Sequence, residues 1–140
     1  MDAKLTQHAK NVIKAGSDEA MRLRSDFFGV EHLFLGIVRE KECKAMQILS
    51  EFNIDAQAIK KEIEQTIQQQ EAFRTINQEK DVPLLKQTER VVKLSFLEAT
   101  ELGVEEIGTE HFLAAILKEG NNLVSNILFG NGLTYDIIHV

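Results

Sequence analysis

Cysteine is almost missing from these 140 residues: Cys43 stands alone, so no internal disulfide can form and a reducing cytosol is the simplest home. Proline occurs once, as Pro83, and there are eight glycines, which leaves few breaks and favours long helices. Tryptophan is absent and Tyr135 is the only tyrosine. No apolar run approaches the roughly 18 residues that a membrane-spanning helix needs. The start, Met1-Asp2-Ala3-Lys4-Leu5, is polar and carries no signal-peptide core. Basic residues are in the minority, 16 against 22 acidic ones, and the net charge of −6 argues against broad binding to nucleic acid or an anionic membrane. What is present is a globular composition, 44% hydrophobic and 27% charged, too apolar for a disordered chain. A chain of this length buries about two thirds of its unfolded surface and needs no disulfide or metal as a staple.

The apolar pattern is helical throughout. Leu5, Ala9, Val12, Ile13, Gly16, Ala20 and Leu23 trace one helix face, with Thr6 as its cap. Ser25-Asp26 breaks that pattern. Leu33, Phe34, Ile37 and Val38 mark a second, short helix after Gly29. Ala45, Met46, Leu49 and Phe52 mark a third, closed by Asn53. Asp55 caps a fourth that carries Ala56, Ile59, Ile63 and Ile67. Residues 68–82, with Gln68-Gln69-Gln70 and Gln78-Glu79-Lys80-Asp81, read as a polar linker, and Pro83 suits the first turn of a new helix.

A shift of 79 residues lays the second half on the first without a gap. Leu5 falls on Leu84, Val12 on Val91, Glu19-Ala20 on Glu98-Ala99, Gly29 on Gly108, Glu31-His32 on Glu110-His111 and Ile48-Leu49 on Ile127-Leu128. Thirteen of the 51 pairs from Leu5 to Asp55 are identical, where average composition gives about three. The expected fold is therefore all-α: a duplicated four-helix repeat, eight helices with pseudo-twofold symmetry, in one compact domain. The first repeat covers 1–67 and the second 83–140. The last helix is shorter than its twin, since Ile63 and Ile67 have no counterparts. Either the natural protein continues past Val140 or it ends on a shorter helix.

The run Gly108-Thr109-Glu110-His111-Phe112-Leu113-Ala114-Ala115-Ile116-Leu117-Lys118-Glu119-Gly120, with its twin from Gly29 to Glu40, resembles the duplicated N-terminal domain of Clp ATPases, the ClpC type most closely. The resemblance extends from about Leu5 to Ile138. It implies a substrate- and adaptor-docking domain of a ClpC-like AAA+ unfoldase, working beside AAA+ modules of the same polypeptide. Its implied partners are adaptor proteins and unfolded or phosphoarginine-tagged clients. It implies no enzyme activity in this chain, no cofactor of its own, with ATP confined to downstream modules, and a monomer in isolation in the cytoplasm. A stand-alone protein of the same fold that regulates a Clp machine is the alternative.

Glu31 and Glu110 fall in the first turn of a helix, where a carboxylate complements the helix dipole. The same place suits an anion on free N–H groups and a guanidinium on the carboxylate. The resemblance assigns the guanidinium to Glu31 and Glu110. Thr109 is expected to cap its helix and to meet a phosphate, whereas Val30, its twin, has no hydroxyl, so the second site should be the stronger. Phe27, Phe28 and Leu35 form a candidate groove for a peptide or adaptor, or else seal the contact between the halves. His32 and His111 read as packing histidines bonded to a neighbouring loop, and no metal site is expected. Cys43 reads as structural. Gly103 to Thr109 has the glycine spacing of a phosphate loop but lacks its lysine and joins two helices, so nucleotide binding is rejected.

Overall fold

Thr6 starts the first helix as the sequence predicts: the Ala9 N–H donates to its Oγ1 at 3.1 Å. That helix, α1 (Gln7–Arg22), leads in the computed structural model to α2 (Val30–Arg39), α3 (Lys44–Glu51) and α4 (Ala56–Ala72). The second half repeats the series as α5 (Lys86–Glu101), α6 (Thr109–Glu119), α7 (Leu123–Gly130) and α8 (Tyr135–Ile138). The structure describes residues 4–25, 27–72 and 86–138. Asp55 caps α4 as expected, accepting from the N–H groups of Gln57 and Ala58 at 3.0 and 3.3 Å. The turns are duplicated too. Arg24 and its twin Gly103 both have positive φ, 56° and 72°, and so do Asn53 and its twin Gly132, at 58° and 88°.

Two details depart from the pattern. Helix α4 runs to Ala72, so Gln68–Ala72 belong to the helix and not to the linker. The rest of that linker, together with Asp26, Pro83 and Leu84, lies outside the described residues. The architecture also holds a small sheet. Strand β1 (Lys4–Leu5) pairs in parallel with β2 (Glu106–Ile107), and the Thr6 N–H continues the ladder to the Ile107 carbonyl at 3.0 Å. This pairing joins the start of the chain to the second repeat.

The two repeats interlock. Within each, the first two helices pack closely, α1 on α2 and α5 on α6. Across them, α3 packs on α6 and α7 on α2. The result buries α2 and α6 on nearly every side: Val30 and all of His32–Val38 are buried, as are Thr109 and His111–Leu117. One core runs through both halves, with Phe34, Phe112, Leu49 and Leu128 among its fully buried members. A buried carboxylate braces each half. Glu19 meets Arg22 at 2.7 Å and Arg39 of α2 at 3.3 Å, and its twin Glu98 meets Lys118 of α6 at 3.6 Å and accepts the Tyr135 hydroxyl. No helix among the described residues is long and apolar enough to cross a membrane.

Candidate functional site

The two motif copies begin identically. Gly29 and Gly108 are the N-caps of α2 and α6, both with extended backbone. Each donates its N–H to Nδ1 of the histidine three residues on, His32 or His111, at 2.8 Å in both copies. The histidine thereby does what Glu or Gln does in a capping box. Because Nδ1 accepts, the ring proton of His32 sits on Nε2 and donates to Ser25 Oγ at 2.8 Å. Both ring nitrogens are then engaged, leaving no lone pair for a metal. Val104 stands where Ser25 does and supplies no such oxygen to His111. Among the described residues no group of three or more metal-ligating side chains comes together.

Burial pushes the His32 pKa down to about 4, against a weaker upward pull from Glu19. His111 is also lowered by burial, although Glu110 and Glu98 oppose it. In the unfolded chain both would titrate near 6.5. The unfolded state therefore takes up protons first, and stability is lost as pH falls below about 6.5; for His32 the loss runs towards pH 4, at up to about 1.4 kcal/mol per pH unit. Glu31, whose carboxyl burial pushes up, offsets part of the loss at the acid end. Urea unfolding at pH 7 and pH 5 should show the lower stability at pH 5. The His32 ring resonances should titrate below pH 5, and titration near 6.5 would contradict the buried, accepting Nδ1.

Glu31 and Glu110 are the second residues of their helices, inside the first turn as expected. Each carboxylate folds back over the preceding glycine, so that a Cβ at Gly29 or Gly108 would fall on Glu31 Oε1 or Glu110 Oε1. Both side chains are half-buried. Beyond this shared frame the two copies differ.

Thr109 does not cap the following helix. It is the first residue of α6, fully enclosed, and its Oγ1 accepts the N–H of Ala45 in α3 at 3.0 Å. The hydroxyl thus caps a helix of the other repeat, because α3 packs on α6 and its own N-cap, Cys43, makes no side-chain cap bond. The twin of Cys43 is Asn122, which caps α7 itself by accepting the Ser125 N–H at 2.8 Å. Val30, the twin of Thr109, has no hydroxyl to do the same. Thr109 takes the second N–H of α3 and Asn122 the third N–H of α7, so the two repeats cap neighbouring amides at equivalent helix starts.

Lys44 is the second asymmetry. Its Nζ stands 3.6 Å from Glu110 Oε2. The residue 79 positions on is Leu123, so the position equivalent to Lys44 holds no cation for the first copy. Around Glu110 opens a cavity of about 530 Å³. Charges of both signs line it: Lys4 of β1 and Lys44 of α3, with Glu105, Glu106 and Glu110. Thr109, His111 and His8 also line it. Neither Lys4 nor Lys44 belongs to the repeated motif; each is a charge in the first repeat that its twin position, Pro83 or Leu123, lacks.

The proposed groove residues do not come together at the surface. Leu35 is 1% exposed and belongs to the core, so it lines no groove. Phe27 and Phe28 are half-buried, with their rings edge-on to His32 at 5.9 and 6.3 Å. The Phe28 carbonyl accepts the Thr88 hydroxyl of α5 at 2.9 Å, which ties this loop to the second repeat.

Residues 4–131 match the Clp repeat (R) N-terminal domain family. The chain is 33% identical over 135 residues to the Bacillus subtilis protein named negative regulator of genetic competence ClpC/MecB, covering 96% of this chain and 16% of that protein. It is 33% identical over 128 residues to a ClpA homologue of Porphyra purpurea, named as an ATP-binding subunit of the ATP-dependent Clp protease, covering 91% and 15%. The chain thus spans about a sixth of the length of these relatives. Among solved structures, the N-terminal domain of Hsp104 from Candida albicans superposes with a TM-score of 0.76 at 12% identity, covering 97% of this chain and 87% of that one. The N-terminal domain of ClpD from Arabidopsis thaliana gives 0.70 at 19%, covering 97% and 90%. At these identities the structures speak for the fold alone.

Proposed function

Because this chain belongs to the Clp repeat N-terminal domain family, we propose that it is a docking module that captures adaptors and client polypeptides for an AAA+ unfoldase of ClpC type. Recruitment of this kind works by proximity: a client held on a tethered domain has a raised effective concentration at the unfolding machine. ATP then belongs to the AAA+ modules, and this chain supplies recognition. A reducing cytosolic setting and a monomeric domain fit that role.

The finer reading is that the domain recognises phosphoarginine on its clients, at the second motif copy. A guanidinium is a planar fork of donors that a carboxylate accepts in a bidentate pair, and a phosphate requires cations or N–H donors. The single observation that carries the reading is the two-signed cavity around Glu110. It sets a carboxylate and lysines within reach of one small ligand, while the Glu31 copy has Val30 and Leu123 in place of Thr109 and Lys44. Calorimetric titration with phosphoarginine tests this. Glu110→Ala should weaken binding by about tenfold or more, the scale of one charge-assisted pair. Glu31→Ala should change it by less than about threefold. Equal losses in the two variants would remove the preference for the second copy.

A further inference from the structure

The proposed ligand site is not a property of the second repeat alone. Lys44 belongs to the first repeat, at the start of α3, and reaches Glu110 across the interface between the halves. Its placement is fixed from the other side. The neighbouring Ala45 N–H is held by Thr109 Oγ1 at 3.0 Å, and Thr109 precedes Glu110 directly. The lysine side chain itself is 73% exposed, while that of Glu110 is 26% exposed. At 3.6 Å the pair is a long, solvated contact that a better partner can displace.

On the proposed phosphoarginine reading, we infer that Lys44 is the specificity-determining residue of this pocket: it screens Glu110 from plain arginine and turns to the phosphate of phosphoarginine. The physical argument is one of exchange. A guanidinium arriving at Glu110 must displace the ammonium, which leaves two cations side by side and one of them unpaired. Plain arginine offers nothing to offset that repulsion. Phosphoarginine carries its own anion next to the guanidinium, and the displaced Lys44, with Lys4 lining the same cavity, has a new partner. The Glu31 copy has Leu123 at the equivalent position and carries no such guard.

The test uses the intact domain, with free phosphoarginine and free arginine as separate titrants by calorimetry. Lys44→Gln should lower phosphoarginine affinity by about tenfold or more and leave arginine affinity unchanged or raised, so that the ratio between the two ligands collapses. Lys44→Arg keeps the charge and should keep most of the ratio. Unchanged melting of both variants would show that the fold is intact, as expected for an exposed side chain. If the parent domain binds phosphoarginine and Lys44→Gln leaves the ratio as it was, the gating role falls and the phosphoarginine reading stands. If the parent domain binds no phosphoarginine at millimolar concentration, both fall together.

Discussion

Gly36→Ala should cost about 2–3 kcal/mol or more and lower the melting temperature by roughly 10 °C. The position lies mid-helix, where alanine is normally the better residue by about 1 kcal/mol. Here tertiary contact overrides that preference. A Cβ at Gly36 would collide with the Val12 carbonyl oxygen and lie 2.8 Å from the Gly16 nitrogen, both backbone atoms of α1. Backbone cannot rotate aside as a flexible side chain can, so α1 and α2 must separate. Gly16 contributes to the same close crossing, because a Cβ there would come within 2.9 Å of the His32 carbonyl oxygen. The second repeat solves the packing differently, with Ser95 and Ala115 at the equivalent positions, both buried. Ala115→Gly should therefore cost about the helix-propensity difference and a small cavity, near 1 kcal/mol. Thermal unfolding followed by circular dichroism measures both. A Gly36→Ala protein that melts at or above the parent temperature would contradict the close crossing.

Thr109→Val gives the first repeat's residue to the second and should destabilise by about 1–3 kcal/mol, because it leaves the buried Ala45 N–H without an acceptor. The first repeat also lacks the side-chain cap that Asn122 gives the second. Cys43→Asn copies Asn122, which accepts the Ser125 N–H and also donates Nδ2–H to the Ile116 carbonyl at 3.1 Å. The equivalent acceptor already waits at Cys43, whose thiol points to the Ile37 carbonyl at 3.9 Å. The introduced amide would cap the Met46 N–H, the twin of the Ser125 N–H, and not the Ala45 N–H that Thr109 holds. Cys43→Asn should therefore add up to about 1 kcal/mol in the parent domain and a similar amount in the Thr109→Val background. Near additivity in the double-mutant cycle, measured by urea unfolding, is expected. Full recovery of the loss would show that the introduced amide takes over the Ala45 N–H.

Much of this architecture is legible in the chain because the duplication gives two readings of every position. The helix starts at Thr6 and Asp55, the closure at Asn53 and the motif glutamates in a first turn all follow from local rules. What local rules miss is set by the partner half. Leu35 looks spare on a one-sided helix, yet α2 is enclosed on nearly every side, so it is core. The β1–β2 pairing joins residues about a hundred positions apart, with two residues per strand and no alternating pattern to announce it. Thr109 sits where a cap is expected, and it is a cap, but for a helix 64 positions earlier. Lys44 stands among other lysines in the sequence and gains meaning only when α3 lies against α6.

The central proposal is that this domain reads an arginine-borne phosphate at the pocket around Glu110. Amide shifts of isotope-labelled protein during a phosphoarginine titration test it most directly. Saturable shifts at Gly108–Phe112, extending across the repeat boundary to Lys44 and Ala45 and abolished by Glu110→Ala, are the predicted result. Shifts centred on Gly29–Leu33 alone, or none at millimolar ligand, would contradict it.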